Sequence, residues 1–282
     1  MESVKMRNLK LLLEIDDHWG SGLKKLKMKG RQLDPLNPEL FNILELQVLE
    51  LSPERESCLY FKITRLPSEI GQLTNLKVLI LDTNDLTEIP HEIGHLENLE
   101  RLSLSNNRLK DLPSGFGKLR RLKSFHAANN RMETFSPELC ELRKLVFLDM
   151  CDNYLSGLDE GIGQMENLES LLLHHNLITD LPSGICDLQN LRTLWLGCNR
   201  LRRLPRRFGN LRQLDWGKGY TPSTAIDDNP LAQPPLDVCR RGVLSIDKFF
   251  ERTMVSGKLK SRYSSGVLES IEDEDAQYQN DD

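Results

Sequence analysis

Histidine, cysteine and aspartate side chains are concentrated between residues 126 and 198, where they could bind a metal ion or form a nucleophile–base pair. The group comprises His126, Asp149, Cys151, Asp152, His174, His175 and Cys198. A Cys–His nucleophile needs a third group that orients the base, and the sequence offers no evident one. The sequence therefore predicts no catalytic residue, no metal site and no cofactor.

A leucine pattern with a period of 23 residues positions these side chains. The template LxxLxLxxNxLxxLPxxIxxLxx fits units that begin at Leu23, Leu46, Leu76, Leu99, Leu122, Leu145, Leu168, Leu191 and Leu214. The intervals are 23, then 30, then 23 six times in succession. A fixed period of this length is typical of a solenoid built from stacked supersecondary units.

Each unit combines two hydrophobic periods. The LxLxx segment alternates, as a half-buried strand does. The Asn at position nine is predicted to end that strand and to bond the backbone of the neighbouring turn. The segment after the Pro has apolar residues three apart, which favours a short helix or 3₁₀ turn on the outer face. The fold class is therefore predicted to be an α/β curved solenoid with a parallel concave sheet.

The units "LERLSLSNNRLKDLPSGFGKL" and "LESLLLHHNLITDLPSGICDL" resemble intracellular leucine-rich repeats. The 23-residue type is found in Ras-pathway scaffolds, plant Ras-group repeat proteins and the erbin and scribble family. The string "DDNPLAQPPLDVCRRGVLSIDKFF" is similar to the closing segment of that group. The resemblance implies a C-terminal capping helix, a non-catalytic scaffold in signalling, and a small GTPase or a phosphatase as partner.

The pattern predicts four regions. Residues 1–22 form an N-terminal cap with an amphipathic helix around Met6–Ile15. Residues 23–236 hold about nine repeats, with insertions near 56–62 and 215–225. Residues 237–254 form the capping helix. Residues 255–282 form a disordered acidic tail, because 269–282 contains acidic residues but no Lys or Arg.

Positions three, five and seven of each strand segment are predicted to face solvent on the concave sheet. Apolar side chains there favour a binding surface, and the alternative is that they only pack on one another across strands. The predicted protein-binding residues are Ile80, His126, Phe147, Asp149, Leu172, His174 and Trp195. Trp195 is the favoured anchor, because Trp is enriched at interface hot spots.

An arginine cluster near the C-terminal repeats is the alternative site. Arg202, Arg203, Arg206 and Arg207 could bind an anionic surface, either an acidic protein, a lipid or a nucleic acid. No nucleic-acid module accompanies them, so nucleic acid is the weakest of the three. A solvated rim is the plain interpretation of the same cluster.

The composition favours a cytoplasmic, non-enzymatic protein. The sequence has 282 residues, 39% of them hydrophobic, and a net charge of −5. It has no long apolar run, no secretory signal and no CxxC pair among its six cysteines, so reduced thiols are expected. It also lacks the GxxxxGK[ST], GxGxxG, HExxH and GxSxG motifs of nucleotide-binding proteins and hydrolases.

Overall fold

The computed structural model describes residues 13–16, 22–28, 36–53, 61–215 and 225–264, and the side chains of the last segment as far as residue 254. These residues form a nine-stranded sheet whose strands follow one another in chain order. The strands are β1 (Glu14–Asp16), β2 (Leu23–Lys27), β3 (Val48–Glu50), β4 (Val78–Ile80), β5 (Arg101–Ser103), β6 (Ser124–His126), β7 (Phe147–Asp149), β8 (Ser170–Leu172) and β9 (Thr193–Trp195). The predicted leucine-rich repeat solenoid is thereby confirmed.

Strands β2 to β9 are parallel, and equivalent positions of successive units pair directly. Leu49 lies opposite Leu79, and Leu171 lies opposite Leu194. Strand β1 is different, because it runs antiparallel to β2. Its residues Glu14 and Ile15 had been predicted to end an amphipathic helix, and that part of the prediction is wrong. They pair with Lys25 and Lys24 instead, and residues 6–12 of the predicted helix lie outside the described residues.

The outer side of the solenoid is made of short 3₁₀ turns. They span Pro38–Asn42, Ser68–Gln72, His91–His95, Phe116–Lys118, Pro137–Glu141, Glu160–Gln164, Ser183–Asp187 and Arg206–Asn210. A Pro precedes or begins most of them, since its fixed φ suits the entry to a helical turn. The template leucines of strands and turns point between these layers, and many of them are fully buried.

The Asn at position nine forms a buried ladder, as predicted. Asn153 is 5% exposed. Its Oδ1 accepts from the Met132 N–H at 3.0 Å, and its Nδ2 donates to the carbonyls of Ala127 at 3.0 Å and Met150 at 3.1 Å. Asn84, Asn107, Asn130, Asn176 and Asn199 repeat this pattern. Each amide therefore saturates backbone groups that the sheet leaves unpaired.

Asn229 is a further member of this ladder, although in the sequence it lies within the string that resembles a closing segment. Its Oδ1 accepts from Leu201 N–H at 2.9 Å, and its Nδ2 donates to Leu196 and Ile226. The carbonyl of Ala225 also accepts from Leu196 N–H at 2.7 Å. The ninth unit thus rejoins the stack after residues 216–224, which lie outside the described residues, as do 54–60 of the earlier insertion.

Two helices follow the last repeat, α1 (Leu236–Cys239) and α2 (Val243–Ser264). Val243 and Ile246 of α2 are buried in the main core. Helix α2 runs past the predicted boundary at 254, so residues 255–264 are helical rather than part of a disordered tail. That stretch contains no Pro and several good helix formers, which permits the extension. Within the described residues, no helix is both long and apolar enough to cross a membrane.

Candidate functional site

The solvent-facing positions of the strands form straight rows across the concave sheet. The fifth-position row runs through Glu50, Ile80, Ser103, His126, Asp149, Leu172 and Trp195, with each residue opposite the next. The third-position row places Phe147 between Ser124 and Ser170. Six of the predicted site residues therefore lie on adjacent strands of one face, β6 to β9, or just after them, and Ile80 lies on β4.

Aromatic and aliphatic side chains lie on neighbouring strands of this face, and Phe147 and Trp195 remain partly open to solvent. The rings of His126 and Phe147 lie 4.8 Å apart and are inclined by 31°. Leu172 is 8% exposed, and Trp195 beside it is half-buried. The His126–Phe147 contact shows that side chains pack across strands on this face, whereas a role of the face in binding stays a prediction. We call Phe147, Leu172 and Trp195 the concave apolar patch.

Ile80 does not join that patch. It packs against Leu23, Val48 and Val78, which form a small separate cluster on the first strands. The carboxylates of Glu50 and Asp82 near this cluster are paired within the protein: Glu50 lies 2.7 Å from Lys27, and Asp82 accepts from Ser103 Oγ at 2.7 Å. This half of the face is thus occupied by its own interactions.

Burial changes the proton affinity of titratable groups on the sheet. It raises the pKa of Asp82, against the opposing effect of the Ser103 hydrogen bond. It lowers the pKa of His126, as does the positive charge of Arg101, whereas Asp149 opposes the shift. Burial and the Arg101 charge both favour the uncharged form of His126, so this imidazole is less readily protonated than a free one. Its Nε2 lies 2.8 Å from Ser124 Oγ.

Position eight of the seven units from Leu76 onwards forms another row, directly beside the Asn ladder. Its members all have left-handed backbone conformations with φ between 53° and 63°: Thr83, Asn106, Asn129, Asp152, His175, Cys198 and Asp228. We call them the left-handed row. Their side chains touch along the stack, since Asn129 donates to Asn106 at 2.8 Å and His175 Nδ1 lies 2.9 Å from Asp152 Oδ1.

Three potential metal ligands meet at the C-terminal part of the left-handed row. His174 precedes His175 in the chain, and their rings stack with centroids 4.0 Å apart. One ring nitrogen of each histidine and the sulfur of Cys198 lie within 4.8 Å of one another. The sequence alone predicts no metal site at these residues, because periodicity does not show how side chains turn at the end of a strand.

The buried cysteines are poorly suited to nucleophilic chemistry. The five described cysteines, Cys140, Cys151, Cys186, Cys198 and Cys239, form no disulfides. Burial raises the pKa of Cys140 and Cys239 to about 12 and that of Cys186 to about 11. Burial and the nearby Asp149 also raise the pKa of Cys151. A thiol held protonated in this way is a weak nucleophile.

The arginine cluster is exposed, but half of the predicted residues are already paired. Arg203 lies 2.9 Å from Asp180, and Arg207 lies 2.8 Å from Asp187. Arg202 and Arg206 form no ion pair within the described residues, and Arg202 lines a groove of about 550 Å³ together with Arg200 and Arg203. The sequence could not reveal this neutralisation, because each aspartate lies in the preceding unit.

Comparisons with known proteins agree with this architecture. Residues 68–137 match the family model of a leucine-rich repeat region, and residues 166–215 match a model of two leucine-rich repeat copies. No curated protein sequence matches the chain. The repeat assignment therefore rests on the fold and on these two segments.

Several solved structures are similar. A leucine-rich repeat protein of Leptospira interrogans is 30% identical, with a TM-score of 0.52 over 70% of this chain and 52% of that one. The plant peptide hormone receptor RGFR1, solved in complex with RGF2, is 26% identical, with a TM-score of 0.55 over 73% and 35%. An internalin of Listeria monocytogenes shares the fold at 21% identity, with a TM-score of 0.57 over 78% and 57%. The chain thus spans about half the length of the leptospiral protein.

Proposed function

We propose that this leucine-rich repeat solenoid is a non-catalytic scaffold that binds a protein partner through the C-terminal half of its concave sheet. Leucine-rich repeat proteins generally mediate protein–protein interactions, which supports the general class of function. The observation that carries the specific proposal is the concave apolar patch. Phe147 and Trp195 are half-buried on a face that the Leu core does not need for its own packing.

The two halves of the face differ in what they can offer a partner. On β2 to β5, Lys27, Glu50 and Asp82 are engaged in ion pairs or hydrogen bonds. On β7 to β9, the patch presents partly open apolar surface, with Asp149 and His126 beside it. An apolar centre with polar groups at its rim is the usual composition of a protein interface.

The partner and its setting follow from the sequence resemblance to Ras-pathway and erbin–scribble repeats. On that basis the protein is proposed to act in cytoplasmic signal transduction, with a small GTPase or a phosphatase as partner. This proposal is a fold-level analogy, so it names a partner class rather than one protein.

The experiment compares the patch with the arginine cluster. Proximity labelling in cells would identify a partner, whose binding to the purified chain is then measured by calorimetry. The double variant Phe147→Ala, Trp195→Ala is expected to fold normally and to lose about 2 kcal/mol or more of binding free energy. Charge reversal at Arg202 and Arg206 is expected to leave binding nearly unchanged.

Salt dependence distinguishes the alternative function. Binding of an anionic surface by the arginine cluster would weaken steeply with ionic strength, whereas binding by the apolar patch would change little. If the Phe147/Trp195 variant binds the partner with full affinity and charge reversal of the arginines abolishes binding, the binding site is the arginine cluster. A large fall in the melting temperature of the aromatic variant would show that both rings serve the fold.

A further inference from the structure

The left-handed row changes character along the solenoid. Its first members are Thr83, Asn106 and Asn129, and its last four are Asp152, His175, Cys198 and Asp228. The later members come from four consecutive units, so their side chains stand about one strand spacing, 4.8 Å, apart. Carboxylate, imidazole and thiol groups in that order bring the ligand types of zinc to one short stretch of the rim.

The geometry around His175 already resembles that of a metal-bound histidine. Its Nδ1 lies 2.9 Å from Asp152 Oδ1 and is directed to that carboxylate. This contact fixes the orientation of the ring and leaves Nε2 as the nitrogen that can bind a metal. Metal-bound histidines commonly have their second nitrogen held by a carboxylate in this manner.

His174 supplies a second, independent observation. Its Nδ1 is buried and has no hydrogen-bond partner. A buried polar atom without a partner carries a desolvation cost, which a metal bond to Nδ1 itself would offset. The His174 ring is stacked on that of His175, which holds the two imidazoles side by side, and one nitrogen of each lies near the Cys198 sulfur.

We propose that His174, His175 and Cys198 bind a transition-metal ion, with Zn²⁺ as the best fit, at the rim of the concave sheet. The ligand atoms lie within 4.8 Å of one another, whereas tetrahedral zinc with these ligands needs separations of about 3.3–3.8 Å. The ligand atoms must therefore approach one another by about 1 Å when the metal binds, and none of the three residues is fully buried. A water molecule completes the coordination.

Two neighbouring carboxylates can offset the positive charge of the metal ion and accept the proton of the Cys198 thiol. Cys198 Sγ donates to Asp228 Oδ2 at 3.5 Å, so Asp228 can accept the thiol proton and pass it to solvent when the sulfur–metal bond forms. The Asp152 carboxylate lies on the opposite side of the row, against His175. Two imidazoles and one thiolate are a mixed nitrogen–sulfur set, which suits Zn²⁺ and Co²⁺ better than Mg²⁺ or Ca²⁺.

The test is a metal titration of the purified full chain after treatment with a chelator. Co²⁺ is added first, because its visible spectrum reports tetrahedral geometry and its near-ultraviolet charge-transfer band reports a thiolate ligand. Zn²⁺ should then displace it, with its affinity measured by calorimetry. We expect the wild type to show both spectral features and His174→Ala to lower the Zn²⁺ affinity at least tenfold.

Two further variants and one control identify the ligands. Cys198→Ser should remove the charge-transfer band, and Asp152→Asn should weaken Zn²⁺ binding by about 10–100-fold while leaving that band in place at saturating Co²⁺. His126→Ala, a histidine on the same sheet, should change neither readout. Melting curves establish that each variant is folded.

Other outcomes would overturn the proposal. Absence of a charge-transfer band in the wild type would exclude Cys198 as a ligand. Zn²⁺ binding that survives both His174→Ala and Cys198→Ser would place the metal elsewhere in the chain. The aromatic variant used to test partner binding keeps all three ligands, so failure of the proposed function and failure of this site are distinguishable.

Discussion

The Asn ladder and the left-handed row are neighbours in all seven units from Leu76 onwards, yet they respond to opposite demands. Asn84 to Asn229 keep one residue type because one amide must satisfy both an N–H and carbonyl groups in the interior. The left-handed row keeps one backbone conformation and lets its side chains vary from Thr to Asp, His and Cys. Position nine of the repeat therefore needs one particular side chain, Asn, for its hydrogen bonds. Position eight needs only a residue that tolerates a left-handed backbone.

Exposure explains the difference. Asn153 is 5% exposed, so any hydrogen bond that it loses cannot be replaced by water. The side chains of Asp152 and His175 are each 52% exposed, and water can solvate either of them. Side-chain chemistry in the left-handed row is thus available for binding without a large effect on stability.

The largest effect on this comparison is expected from Asn153→Ala. The variant leaves the Met132 N–H and the Ala127 and Met150 carbonyls without this buried partner, so it should lower the free energy of unfolding by about 1–3 kcal/mol. Chemical denaturation measures the loss. Asn190→Ala, which removes an exposed amide bond to Glu166, is the matched control and should cost less. Equal losses would contradict the buried role of the ladder.

A smaller effect of opposite sign is expected from Thr83→Asn. Thr83 is β-branched and has φ of 63°, a conformation that Asn tolerates better. The variant should raise the free energy of unfolding by about 0.5–1 kcal/mol, as measured by thermal melting. Thr87→Asn is the control, since Thr87 is exposed and is not left-handed. A gain at both positions would show that the backbone is not the cause.

The smallest effect is expected from Asp152→Asn. Asn keeps the tolerance for a left-handed backbone, and only the exposed contact with His175 loses its charge. Surface pairs of this kind contribute about 0–1 kcal/mol, so the unfolding free energy should change by less than about 0.5 kcal/mol. Denaturation of the metal-free protein checks this value. A loss as large as that of Asn153→Ala would remove the distinction between the two rows.

The repeat period was sufficient to predict the parallel sheet, the outer turns and the Asn ladder. Those features depend on local spacing and on burial, which the sequence displays directly. The antiparallel strand Glu14–Asp16 was not predictable, because an apolar run as short as "LKLLLEI" suits helix and strand alike. The length of α2 is not predictable for a different reason, because the polar composition of residues 255–264 suits a solvated helix and a disordered tail alike.

The sequence predicts where the candidate site residues lie on the solenoid, but not which side chains they contact. Row membership placed Phe147, His174 and Trp195 on the concave side of the solenoid. It could not show that Ile80 packs on Val78, or that Arg203 is paired with Asp180. The meeting of His175 with Cys198 depends on side-chain rotation at a left-handed residue, which a one-dimensional pattern does not contain.

The direct pairing of strands β2 to β9 makes the unit interchangeable. Glu100 N–H donates to Lys77 at 2.8 Å, and Lys123 N–H donates to Glu100 at the same distance. A chain without residues 100–122 would bring the Lys123 N–H opposite the Lys77 carbonyl and restore the same bond. Whole units can consequently be duplicated or lost in a gene without a register error, whereas a one-residue change in length within a strand shifts its core leucines to the wrong face. The array can thus evolve in steps of 23 residues, and its concave surface can lengthen or shorten while each surviving row remains straight.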